Sequence, residues 1–148
     1  MNKIVIDANN AVLGRLASYV AKQALLGKEV SVLNCEKAVV SGSRRIIVAK
    51  YHTLRTKGGS SLKGPIFPTL PARMVKRTIR GMLSHKQGRG ADAFKRIKCY
   101  EGIPKEFVES KKLSIAQSSG MLSLTLAEIS EELRWKLWLE PLEKEKLQ

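Results

Sequence analysis

The chain opens on KIVID at 3–7, an apolar run rich in β-branched residues that reads as a buried strand. ANN at 8–10 follows as a turn, with Asn10 placed to cap the next helix. From Ala11 to Leu26 the apolar positions recur at helical spacing, and Leu13, Leu16, Ala17, Val20 and Ala24 fall on one stripe. Gly27 stands where a helix ends, and EVSVLNC at 29–35 resumes the strand pattern. Strand, helix and strand in close succession predict a βαβ unit with a right-handed crossover. KAVVSG at 37–42 fits either a strand or a helical turn. RRIIVAKYHTL at 44–54 predicts a helix with Ser43 as its cap.

The stretch TKGGSSLKGPIFPTLP at 56–71 holds three Gly, three Pro and no acid, so it reads as a basic loop. Pro71 suits the first position of a helix. On a helix from Ala72 to about Ser84, Ala72, Val75, Ile79, Met82 and Leu83 share one face, and Arg73, Lys76, Arg77 and Arg80 share the other. A short helix over 91–96 and a strand, RIKCY at 96–100, should follow. TLAE at 125–128 is a capping-box pattern that opens a helix with Leu126, Ile129, Leu133 and Leu137 as its stripe, ended or kinked by Pro141. These elements predict one α/β domain over 1–118 with a helical extension over 119–148.

Charge changes the picture from fold to partner. The 148 residues carry a net charge of +14, with 43% hydrophobic content that supports a real core. Residues 41–99 hold fifteen Lys/Arg against one acid, Asp92, whereas the segments on either side nearly cancel. Concentrating like charge in a folded chain costs self-repulsion, which points to a polyanionic partner. The densest part is RTIRGMLSHKQGRG at 77–90, with four Lys/Arg, one His and three Gly. Cys35 and Cys99 do not make a disulfide framework, nothing at the N-terminus reads as a signal peptide, and no apolar run approaches the ~20 residues of a membrane span. A soluble, cytoplasmic protein is the expectation.

The candidate chemistry narrows the partner further. GRGADA at 88–93 matches a dinucleotide fingerprint, yet it lacks the strand that must precede it, and no P-loop occurs. Cys35, His52, His85 and Cys99 lie 17, 33 and 14 residues apart with no paired motif, so no metal or other cofactor is expected, and both cysteines read as small buried hydrophobes. One acid among fifteen cations leaves little for general acid–base work. Binding a polymer needs cations that meet successive phosphates and glycines where backbone comes close. The candidates are Arg44, Arg45, Arg55, Lys57, Lys63, Arg73, Lys76, Arg77, Arg80, Lys86 and Arg89, with Gly88 and Gly90 flanking the last as a flexible hairpin. Aromatics are 5% of the chain and no RRM, KH or zinc-finger motif appears, so shape and backbone recognition is implied. The alternative is an α/β enzyme handling nucleotides or phosphoesters through the same basic glycine loop.

Two stretches carry a family resemblance. IDANNAVLGRLASYVAKQALLGKEVSVLNCEKAVVSG (6–42) and KGPIFPTLPARMVKRTIRGMLSHKQGRGADAFKRIKCYEGIP (63–104) resemble the large-subunit ribosomal protein L13 family, in its archaeal and eukaryotic branch. The resemblance implies a three-layer α/β/α fold around a small, largely parallel four-stranded sheet. It implies a non-enzymatic constituent of the large ribosomal subunit that binds the long rRNA beside neighbouring ribosomal proteins, with no small-molecule substrate and no membrane. Carried over, the RNA-facing positions include Arg73, Arg77, Arg80, Gly81, His85, Lys86 and Arg89. Ser84 stands where the family commonly has proline. The extension is acidic over 125–148, which suits protein better than RNA, and Trp135 and Trp138 are its candidate protein contacts.

Overall fold

The apolar β-branched runs become the centre of a parallel sheet. The computed structural model describes residues 3–57, 66–115 and 122–134. Strand β1 (Lys3–Asp7), helix α1 (Leu13–Leu25) and strand β2 (Glu29–Leu33) form the expected βαβ unit, with Ile4 opposite Val30 and Ile6 opposite Val32. Strand β2 is central, and Val30 to Leu33 are all buried, as a parallel strand covered on both faces requires. Helix α1 stops in a Schellman motif: Gly27 takes φ 88°, its N–H donates to Ala24 O, and Lys28 N–H donates to Gln23 O.

The helix starts later than the sequence pattern suggests. Its N-cap position is Val12, without a side-chain capping bond, and Asn10 adopts a left-handed φ of 55°. Residues 11 and 12 stay extended because they pair with strand β3 (Val39–Ser41): Val39 N–H donates to Ala11 O at 2.9 Å. KAVVSG thus divides: Lys37 closes a 3-10 turn over Cys35–Lys37, and Val39–Ser41 form the strand. Helix α2 (Arg44–Thr56) follows, with Ser43 at its N-cap position but making no side-chain capping bond, and Ile47 and Tyr51 on its buried side.

Helix α3 (Pro71–Gly81) begins with Pro71 in its first turn, where Glu101 Oε1 accepts from Ala72 N–H at 3.4 Å. Its buried residues are Pro71, Met74, Val75 and Ile79; Leu83, in the turn beyond it, is buried as well. Met82, assigned to that face from spacing, lies past the helix end and is 44% exposed. Helix α4 (Gly88–Lys95) starts three residues before the expected 91, because Gln87 takes the N-cap position and its carbonyl accepts Ala91 N–H at 2.9 Å. Strand β4 (Ile97–Cys99) joins β2, and strand β5 (Lys112–Ser114), absent from the sequence reading, joins β1. The four-stranded sheet has the order β4-β2-β1-β5 and is parallel throughout.

Ile6, Val30 and Val32 join α1, α3 and α4 in the main core, while Val5 and Leu33 pack with Phe107 on the other side of the sheet. A second sheet pairs β3 with β6 (Ser123–Thr125), antiparallel. Helix α5 follows over 126–134, and Leu126, Ile129 and Leu133 are buried in the main core. The described part of the extension, 122–134, packs on the main core through these residues. Leu137, Pro141, Trp135 and Trp138 lie outside the described residues.

Candidate nucleic-acid interface

Helix α3 turns an apolar stripe into the core and leaves its cations outside. Arg73 and Arg80 are exposed, and Lys76 and Arg77 are half-buried. Lys76 Nζ lies 5.1 Å from the centroid of the Phe94 ring on α4. Arg77 is held more firmly. Its guanidinium stacks 4.7 Å above the Phe67 ring and donates to Ile66 O at 2.7 Å. Phe67 in turn meets Tyr51 edge-on at 5.4 Å, so Arg77 fastens the segment entering α3 to α2.

The turn from α3 to α4 continues the cationic surface. Gly81, His85, Lys86, Gly88 and Arg89 are exposed, and the His85 ring nitrogen Nδ1 lies 3.4 Å from Leu83 O. Gly90 differs from the expectation of a flexible hairpin that follows a groove. It is buried in the first turn of α4, and a Cβ there would come within 2.2 Å of Ser84 O. Its missing side chain serves the packing of α4 on the preceding turn. This packing also answers for the GRGADA match: a turn and α3, with no strand between, precede Gly88.

The cations of α2 divide into two groups. Arg44 pairs with Glu132 of α5, which raises the Arg44 pKa, and Arg55 donates to Leu133 O at 2.8 Å. Both therefore hold α5 to α2. Arg45 and Lys57 remain exposed, and Lys63 lies outside the described residues. Among the described residues the ion pairs are Arg44–Glu132 and Lys95–Asp92, the latter at 3.4 Å on the surface. Arg73, Lys76, Arg77, Arg80, Lys86 and Arg89 have no carboxylate partner there.

Of the four metal-ligand candidates, Cys35, just beyond β2, neighbours Cys99 of β4, and the Cys35 thiol donates to Val32 O at 3.7 Å. The neighbouring Cys99 thiol and burial push the Cys35 thiol well above its ordinary pKa. Cys35 is buried as expected, whereas Cys99 is half-buried. Among the described residues no three His, Cys, Asp or Glu side chains come together. Nor is any described helix long and apolar enough to cross a membrane.

Fold and surface together define a small basic α/β protein with a cluster of cations, free of carboxylate partners among the described residues, on one helix and the turn behind it. The family model for Ribosomal protein L13 matches residues 1–106. The large ribosomal subunit protein uL13 of Methanosarcina barkeri is 45% identical over 135 residues, covering 87% of this chain and 96% of its own. The uL13 of Methanococcus maripaludis is 50% identical over 104 residues, covering 68% and 76%, and that of Methanopyrus kandleri 41% over 140 residues, covering 90% and 87%. The chain belongs to the ribosomal protein L13 family.

Proposed function

We propose that this protein is a structural, non-catalytic constituent of the large ribosomal subunit in the cytoplasm, and that it binds the large-subunit rRNA and helps that RNA fold and assemble. The binding surface is the outer face of α3 with the turn over 82–89, extended by Arg45 and Lys57. One observation carries the reading: Arg73 and Arg80 on α3, and Lys86 and Arg89 in the turn that follows it, are exposed with no carboxylate partner among the described residues. Such a row repels itself in the free protein and is relieved by a chain of phosphates. Arg77 and Gly90 contribute by fixing the backbone that presents these cations, and Arg44 and Arg55 by holding α5. The names of the relatives, all large-subunit proteins, support the same assembly. Trp135 and Trp138 stay the candidates for contact with neighbouring ribosomal proteins, since α5 begins as a helix packed on protein.

Crosslinking on assembled large subunits tests this reading. RNA adducts should concentrate at Arg73, Arg80, Lys86 and Arg89 and be sparse at Arg44 and Arg55. Adducts concentrated on α5 instead would overturn the assignment of the surface.

A further inference from the structure

A shallow concavity of about 220 Å³ lies between α3, the segment entering it and α4. Ile66, Pro68 and Phe94 form its apolar part, here called the floor, and Arg73, Lys76, Arg77 and Arg80 supply the rest of its lining, the rim. Ile66 is 85% exposed and Phe94 half-buried. A single exposed aliphatic residue is ordinary on a protein surface. Here, however, an aliphatic, a proline and an aromatic side chain share one hollow at the centre of a cationic face. Phosphates alone would gain nothing from that floor, because they stay hydrated and meet donors rather than carbon. A flat, apolar-faced ring attached to a phosphate chain would use both floor and rim. The hollow is also smaller than the about 300–1,000 Å³ of clefts that enclose free small molecules, which suits a group still tethered to a polymer. The neighbouring aromatic, Phe67, is covered by Arg77 and by Tyr51. The ring that lines the hollow is Phe94, over which the flexible Lys76 side chain stands, its Nζ 5.1 Å from the centroid.

From this we infer a subsite for one unpaired nucleobase of the bound RNA, its ring on Ile66, Pro68 and Phe94 and its flanking phosphates on Arg73 and Arg80. The inference rests on the phosphate-binding reading above and adds that the face selects an unpaired position over a continuous duplex. Bases free of a stack are the ones that RNA-binding proteins can take onto apolar and aromatic side chains.

The test uses the full chain and two RNAs: a fully paired duplex, and the same duplex with one unpaired adenosine. The wild type should bind the second about fivefold or more tightly, the low end for one base on an aromatic surface. Phe94→Leu keeps an apolar side chain in α4 but removes the ring. Ile66→Ser alters an exposed side chain and leaves its carbonyl to Arg77. Each should reduce the preference to less than about twofold while duplex affinity and its salt dependence hold. Variants that keep the wild-type preference, or a wild type with none, would overturn the subsite while leaving phosphate binding intact. Adenosine monophosphate that displaces the RNA as effectively as RNA itself would show a mononucleotide site and also overturn it. A wild type with no salt-sensitive affinity for either RNA would overturn the underlying reading instead.

Discussion

Arg77 and Arg80 sit one turn apart on α3, and spacing alone gives them the same role. Their surroundings do not. Arg77 is bound to Ile66 O and stacked on Phe67, whereas Arg80 is exposed at the edge of the concavity. Arg80→Ala should therefore lower rRNA affinity by about 1–3 kcal/mol, the range for a charge-assisted hydrogen bond, and change stability by less than about 0.5 kcal/mol. Arg77→Ala should cost about 1 kcal/mol or more of folding stability as well, through the lost hydrogen bond and ring contact. Denaturant titration beside filter binding separates the two; equal stability loss in both variants would refute the distinction. Gly90 gives a second contrast. A methyl group there meets the backbone carbonyl of Ser84, which cannot swing aside as a side-chain tip can. Gly90→Ala should destabilise by about 1–3 kcal/mol, as overpacking does, with Gly88→Ala far milder because nothing lies near its Cβ position. Equal unfolding midpoints for the two variants would show that the turn relaxes freely.

At the scale of elements, α5 depends on a local device and on distant partners. Thr125 and Glu128 form the capping box that TLAE announced: Glu128 Oε2 accepts from Thr125 N–H at 2.9 Å, and Thr125 Oγ1 accepts from Glu128 N–H at 3.3 Å. The Thr125 N–H and hydroxyl hold the Glu128 carboxyl below its ordinary 4.5. A depressed carboxylate stabilises the fold at pH above that ordinary value and loses its contribution as pH falls through the lowered one. Thermal unfolding followed against pH should show this increment in the wild type and not in Glu128→Gln. An identical acid-side decline in both would place the effect elsewhere. The capping box was legible because its members are three residues apart. So were β1, β2 and the cationic face of α3, where a period repeats over enough positions to be seen. The strands β5 and β6 were not, since three residues are too few to show an alternation and their pairing comes from the sheets they join. The partners of Arg44 and Arg55 were equally hidden, lying 88 and 78 residues away. Both arginines look like their unpaired neighbours until α5 folds against α2.

For the whole molecule, the decisive feature is how charge is divided between use inside the fold and display outside it. Arg44 and Arg55 are occupied by α5, and Arg77 by the segment entering α3. Arg45, Arg73, Arg80, Lys86 and Arg89 remain exposed and without carboxylates among the described residues. The core explains why the display persists without its ligand. Met74, Val75 and Ile79 anchor α3, and Leu126, Ile129 and Leu133 belong to the same buried cluster. Removing the chain from 120 onward would therefore strip the core and confound any test of RNA binding. The test should leave the fold intact and count phosphates. Affinity for large-subunit rRNA measured over a series of salt concentrations does so, because each neutralised phosphate adds about 0.7–0.9 to the slope of log K against log salt. Five or six exposed cations predict a slope of roughly −4 to −5 for the wild type, and about −2 once Arg73, Arg80 and Arg89 are changed to Gln. A wild-type slope near −1, or a triple variant with the wild-type slope, would contradict rRNA binding through this face.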